Sequence, residues 1–259
     1  MKIVVCVKYV PDAQGDRRFA DDGTVDRAGT DGILSELDEY AVEEALKLAE
    51  ANPDSRVTAL TVGPEGATDA LRKALQMGAT DAVHVVDDAL HGSDALATSL
   101  VLAKALQKLE YDLVITGMAS TDGGMSVVPA MVAERLGIPQ VTFAGSLTID
   151  GSTVRIEREG DASTEVVQST LPALVSVTDQ INDPRYPSFK GIMAAKKKPV
   201  QTVTVADLGL DESSVGLANA TSEVLEMTPR PPRQAGQIVK DEGDGGVKIA
   251  EFLAAQKLL

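Results

Sequence analysis

Over the first 145 or so positions, apolar residues alternate between two patterns. KIVVCVK (2–8), VTALTVG (57–63), AVHVV (82–86) and DLVIT (112–116) are short, nearly continuous apolar runs, as expected of strands buried on both faces. The segments between them repeat every three to four residues, the period of a helix with one apolar face. Residues 39–51 align Ala41, Val42, Ala45, Leu46 and Ala49 behind a predicted cap at Asp38. Residues 67–77 align Ala70, Leu71, Ala74 and Leu75, with Gly78 placed to end the helix. Ser93 is predicted to cap a third helix running to Leu109, and a fourth is predicted near 125–136, closed by Gly137.

Strands and helices in strict alternation predict an α/β fold: a doubly wound, mostly parallel sheet joined by right-handed crossovers. Ligands in such sheets bind beyond the carboxyl ends of the strands. That rule selects the loops after Lys8, after Val62 and after Thr116.

The pattern changes beyond 145. Asp150-Gly151 between alternating runs predicts a hairpin. EVVQST and LPALVSVT continue in strand-like composition, so the sheet is expected to gain antiparallel members. GIMAAKKK is a short helix candidate and VQTVTVADLGL returns to a strand. TPRPPRQAG cannot form regular structure, because of Pro229, Pro231 and Pro232. After DEGDGG, the run VKIAEFLAAQKLL forms an amphipathic helix with Ile249, Phe252, Leu253 and Leu258. The predicted organisation is a nucleotide-binding α/β domain over 1–205 and a C-terminal arm over 206–259, whose final helix is expected to pack on a partner chain, with packing on the chain's own body as the alternative.

Charge and composition narrow the function. The formal net charge of −15 argues against general nucleic-acid binding, which needs a basic face. Two histidines, one cysteine (Cys6) and no CxxC or HExxH motif leave no metal centre to propose. No segment approaches the ~20 apolar residues that span a bilayer, and the N-terminus enters a strand without a leader pattern. A soluble protein of the bacterial cytoplasm, with no direct membrane insertion, is the expectation. Against the overall acidity, RYPSFKGIMAAKKK (185–198) carries five basic residues, no acid and one of only four phenylalanines, Phe189.

Three segments offer chemistry. GMASTDGG (117–124) follows a strand and opens a helix, supplying glycines, the Ser120 and Thr121 hydroxyls and free N–H groups, the elements of a phosphate site. It has no P-loop lysine. Asp122 is placed to cap the helix or to bond a ribose, and a ligand-free glycine turn remains open as the alternative. LSELDEYAVEEAL (34–46) reads as a capping segment with solvated glutamates, in which Glu43 and Glu44, being adjacent, do not face each other. In IEREGD (156–161), Glu157 and Glu159 share one side of a strand and Arg158 the other, as on a solvated face. No nucleophile–base set can be assembled, which favours a carrier or binding subunit over a hydrolase.

VKYVPD (7–12), DEYAVEEAL (38–46), VGPEGATDALRKALQMGATDAVHV (62–85), DLVITGMASTDGGMSVVPAMVAERLGIPQVT (112–142) and LPALVSV…DPRYPSFKGIMAAKKKP (171–199) together resemble the β (small) subunit of electron transfer flavoprotein, nearly end to end. The resemblance implies an adenine-nucleotide α-hydrolase-like fold and a heterodimer with a larger α subunit. It implies electrons accepted from acyl-CoA dehydrogenases of fatty acid oxidation and passed to a membrane quinone oxidoreductase. FAD would lie mainly in the α subunit, with a structural, redox-inactive AMP in this chain. By position the AMP contacts fall at Cys6, Ser35, Glu36, Leu37, Asp38 and Val62. They continue through Gly117, Met118, Ala119, Ser120, Thr121, Asp122, Gly123, Gly124, Met125, Ser126, Val127 and Val128.

The same resemblance makes 185–198 a recognition arm. Phe189 stands where the family usually has leucine as the anchor into a dehydrogenase pocket, joined by Tyr186, Ile192 and Met193, with the lysines steering encounter. Glu159 matches a position that forms an ion pair with the mobile flavin domain of the α subunit. The chain departs from the family in having Ala13 and Leu37 near positions where aromatic residues often flank the flavin. It also has Ser35-Glu36-Leu37-Asp38 for the usual Asn-Pro-Phe-Asp. A bifurcating subunit with a second FAD in place of AMP is the alternative within the family. A stand-alone adenine-nucleotide sensor is the alternative outside it, and such a sensor needs neither the arm nor the tail.

Overall fold

The computed structural model describes residues 1–15, 18–228, 231, 236 and 238–259. The chain divides into two units, Met1–Val224 and Leu225–Leu259. At the middle of the first lies β1 (Lys2–Cys6), flanked by β4 (Arg56–Val62) and β6 (Leu113–Gly117), both parallel to it. The sheet extends through β5 (Asp81–Val85) and β12 (Val200–Val203) on one side, and through β11 (Ala173–Val177) and β7 (Gln140–Ala144) on the other. Every pairing in this seven-stranded sheet is parallel.

Side chains alternate across the pleat and so supply two cores. Ile3, Val5, Val57, Ala59, Leu113, Ile115, Ala173 and Val175 pack beneath α1 (Glu36–Ala51) and α2 (Thr68–Met77). Val4, Leu60, Val114 and Leu174 face α3 (Ala95–Gln107) and α4 (Val128–Leu136). Burial on both faces explains why the strand runs read as unbroken apolar segments. After β1 the chain builds outward through β4 and β5, then returns to lay β6 on the other side of β1. The strand order therefore reverses at β1, and a crevice opens there beyond the strand ends.

Several local expectations are corrected. Helix α1 begins at Glu36, so Asp38 lies within its first turn instead of capping it; Ser35 takes the N-cap position and makes no side-chain cap bond. Asp94 caps α3, its carboxylate accepting from the Ala97 N–H, while the Ser93 hydroxyl is drawn away to accept from Gly216. Helix α4 starts at Val128, three residues later than Met125, because Gly124 and Ser126 adopt positive φ and keep the loop out of the helix. Strands β8 (Ser146–Asp150), β9 (Thr153–Glu159) and β10 (Thr164–Thr170) form an antiparallel sheet of their own instead of joining the central one. The Asp150-Gly151 hairpin is present, with Gly151 at φ 57°. A two-stranded ladder of β2 (Tyr9–Pro11) and β3 (Gly32–Leu34) was not predicted.

Residues 206–224 belong to the first unit, where Leu208 and Val215 are buried against the α3 side. The second unit carries α6 (Gly245–Ala255), with Ile249 and Phe252 exposed. Of the proline-rich stretch read at 228–236, Pro229 and Pro232 lie outside the described residues.

Candidate functional site

Beyond the ends of β1 and β6, three segments meet. The carboxylate of Asp38, reaching back from the first turn of α1, accepts from the Lys8 N–H at 2.7 Å and from the Gly117 N–H. A Cβ at Gly117 would stand 2.5 Å from Asp38 Oδ1 and 3.0 Å from the Leu37 carbonyl carbon. Glycine is needed here because the helix start is pressed against the strand end. The Ser35 N–H donates to the Lys8 carbonyl at 2.9 Å. Segments 6–8, 35–38 and 117–123 are thus bonded into one wall.

Asp122 is the electrostatic centre of that wall. It receives Lys8 Nζ at 2.9 Å and an Arg27 guanidinium nitrogen at 2.6 Å. Burial opposes its charge, but the Lys8 ammonium, the Arg27 guanidinium and the Ser120 hydroxyl prevail and hold its carboxyl well below the usual range. Asp122 therefore does not cap α4, whose N-cap, Val127, makes no side-chain cap bond. The two cations offset the negative charge that Asp122 brings to the loop. Burial, with repulsion from Asp122 added, pushes Asp38 up to about 7 despite its donors. The Cys6 thiol is pushed up to about 12, first by burial and then by Asp38, and stays protonated. Cys6, Val62 and Val128 pack onto the α3–α4 core as the apolar floor.

Two hydroxyl oxygens at the crevice, Ser35 Oγ and Thr116 Oγ1, are buried without a hydrogen-bond partner among the described residues. A buried hydroxyl costs free energy unless something bonds it. Gly123 and Gly124 are exposed, and nothing lies within 4 Å of a Cβ built on Gly124, so a ligand can approach the backbone there. Glu36 is exposed at the start of α1, and Leu37 is half-buried beside it. An adenine nucleotide fits this set of groups: orphaned hydroxyls, an exposed glycine backbone at 123–124 and two cations.

Lys8, Arg27, Thr116 and His84 were missed as site-forming residues. The His84 Nε2–H donates to the Gly63 carbonyl at 3.1 Å, leaving Nδ1 to accept from the Thr68 hydroxyl, so it fixes the loop after β4. Lys8 was legible, since it closes a selected strand. Arg27 was not, because it reaches Asp122 from 95 residues away.

The other predicted residues lie on different surfaces. Tyr186 is 92% exposed and Phe189 80%, with Ile192 and Met193 also exposed on or beside α5 (Phe189–Ala195). Phe189 does not fold back onto its own helix. Lys190, Lys196 and Lys197 are exposed, but Arg185 and Lys198 are engaged internally and are not free to steer a partner. Glu43 and Glu44 are buried, not solvated, and point to separate partners: Glu43 to Arg185, Glu44 to Asn182 and Lys47. Glu159 is exposed at an open cleft of about 650 Å³ lined also by Met118, Phe143, Arg158, Asp179 and Gln180. This cleft touches the crevice loop through Met118 only, so it is a separate feature from the crevice.

Among the described residues, no helix is long and apolar enough to cross a membrane. A family model described as "Electron transfer flavoprotein domain" matches residues 22–208. "Electron transfer flavoprotein subunit beta" of Mycobacterium leprae is 50% identical, with 99% of each chain covered. The protein of the same name from Megasphaera elsdenii is 35% identical over the whole of both chains. "Caffeyl-CoA reductase-Etf complex subunit CarD" of Acetobacterium woodii is 34% identical, with 92% of each covered.

Proposed function

The chain belongs to the electron transfer flavoprotein family as a β subunit, and from that premise we propose that it is the nucleotide-holding, non-catalytic half of an electron-carrying heterodimer. Subunits of this kind are electron carriers that work with an α subunit. In our reading the α subunit holds most of the FAD, acyl-CoA dehydrogenases are the donors, and a membrane quinone oxidoreductase is the acceptor.

The observation that carries the nucleotide assignment is the pair of buried, unpartnered hydroxyls, Ser35 Oγ and Thr116 Oγ1, at the reversal point of the sheet. AMP bound here would supply no redox chemistry; FAD in the α subunit would carry the electrons. The hydroxyls would bond the sugar and base, and the N–H groups of the uncapped first turn of α4 would receive the phosphate. Lys8 and Arg27 balance its charge while Asp122 holds them in place.

The arm would make the contact with the dehydrogenase. An exposed aromatic side chain on a fixed turn suits a pocket that excludes water, where such anchors are worth ~2 kcal/mol or more. Lys190, Lys196 and Lys197 would raise the encounter rate with an acidic partner. Glu159, which makes no ion pair among the described residues, is available to a basic side chain of the flavin domain. An exposed pair contributes only ~0–1 kcal/mol, weak enough to break as that domain moves.

The test is to co-express the chain with its α subunit, denature the purified heterodimer and identify the released nucleotides. One FAD and one AMP per heterodimer is the expected result. Two FAD and no AMP would transfer the crevice to the bifurcating reading. FAD alone would remove the nucleotide assignment from this chain.

A further inference from the structure

The recognition arm leaves the body between two pairs of contacts that its sequence does not announce. At its start, the Arg185 guanidinium and backbone N–H both donate to Glu43, with Nε to Oε2 at 2.7 Å and a second nitrogen to Oε1 at 3.0 Å. The same guanidinium also reaches Glu50, seven residues further along α1. Asn182 adds bonds to the Tyr40 carbonyl at 3.1 Å and to Glu44 at 3.0 Å. At the far end, Lys198 Nζ donates to the carbonyls of Leu75 at 2.9 Å and Ala79 at 2.6 Å, closing the C-terminus of α2. Between these anchors a Cβ on Gly191 would stand 2.5 Å from the Gln76 carbonyl, so α5 lies directly on the end of α2.

We propose that Arg185 is a positioning residue for docking: by bridging Glu43 and Glu50 it fixes where the arm departs from α1, so that Tyr186 and Phe189 are presented already ordered to the partner. This inference rests on the docking role given to the arm above. Its physical content is preorganisation. An arm free at its base must lose conformational freedom on binding, and each mobile side chain so ordered subtracts from affinity. Arginine suits the task because its planar fork makes four bonds at once, two to Glu43 and two to Glu50, whereas an ammonium has three donors and no fork geometry. Arg185 is a half-buried, internally committed cation, unlike the exposed lysines of the arm, so its effect is separable from electrostatic steering.

The experiment measures electron transfer from an acyl-CoA dehydrogenase, reduced with its acyl-CoA, to the heterodimer carrying Arg185→Met, Arg185→Lys, Glu50→Gln or Phe189→Ala. Arg185→Met is expected to raise the KM for the heterodimer about tenfold with kcat unchanged. The increase should persist at high salt, where steering is screened. Arg185→Lys keeps the charge and should recover less than half of the loss. Amide hydrogen exchange over 186–198 in the unmixed heterodimer should become faster in both.

An unchanged KM, or full rescue by lysine, overturns the proposal. Should Arg185→Met fail to assemble, Glu50→Gln removes the charge and one acceptor from one side of the bridge at an exposed position and should still raise KM two- to threefold; no rise overturns the proposal. Phe189→Ala separates the two readings. If it raises KM while the Arg185 variants do not, only the positioning role fails. If it has no effect either, the docking role of the arm fails with it.

Discussion

Asp38→Asn tests the electrostatics of the crevice through the pH dependence of folding. The Asp38 carboxyl stands at about 7 in the folded chain, because burial outweighs the N–H donors of Lys8 and Gly117. In the unfolded chain the same group titrates near 3.9. Between those values the folded protein keeps a proton that the unfolded chain has released. Stability from this group is therefore fully present below about pH 4 and is lost as pH rises towards 7. At 1.36 kcal/mol per unit, the loss reaches about 4 kcal/mol above pH 7. Asparagine is nearly isosteric and cannot ionise. It still accepts through its one oxygen, leaving a pH-independent penalty of about 1–3 kcal/mol for the N–H that loses its acceptor.

The assay is urea unfolding of wild-type and Asp38→Asn heterodimers at one fixed concentration, at intervals from pH 4 to pH 8. Taking the difference between the two proteins at each pH cancels the other titrating groups. Wild type minus variant should fall by about 4 kcal/mol over the series. A difference that is flat to within about 1 kcal/mol, or that rises with pH, would refute the reasoning. It would mean that the two backbone donors hold this carboxylate charged in spite of its burial.

Two further outcomes are expected. Gly117→Ala forces a methyl group against Asp38 and the Leu37 backbone, which should destabilise the heterodimer by ~1–3 kcal/mol and reduce the AMP recovered per heterodimer; full nucleotide content with an unchanged unfolding midpoint would show that the close approach is not needed. Phe189→Ala should lower kcat/KM with the acyl-CoA dehydrogenase about 30-fold, the equivalent of ~2 kcal/mol, without altering melting temperature or nucleotide content, since the ring is 80% exposed. Unaltered transfer kinetics would exclude it as the anchor.

Much of the fold was legible because the inner strands of the central sheet are buried on both faces and the helices that cover it, α1 to α4, on one. The runs at 2–8, 57–63, 82–86 and 112–116 all became parallel strands. The crevice position followed from topology, since the loops after Lys8 and Thr116 flank the reversal of strand order. The start of α3 was misplaced because two cap-forming residues are neighbours there. Ser93 and Asp94 are equally good caps by type, and the choice fell to Asp94 because a distant N–H, that of Gly216, claimed the serine.

By itself, the sequence determined the first four strands of the sheet and the helices between them, because periodicity records which faces meet water; LPALVSVT, read as an antiparallel addition, entered the same sheet as the parallel strand β11. The tertiary structure alone decided the partners. Glu43 and Glu44 read as solvated charges, and became buried ones only when Arg185 and Asn182 arrived from about 140 residues away. Asp122 read as a cap, and became the hub of two cations when Arg27 closed over it. The antiparallel hairpin read as an extension of the main sheet, and formed a three-stranded sheet of its own, leaving β7 as the edge of the parallel one. A charge or a strand edge carries no address in its local sequence. Its partner is set by which segments the folded core brings within bonding distance.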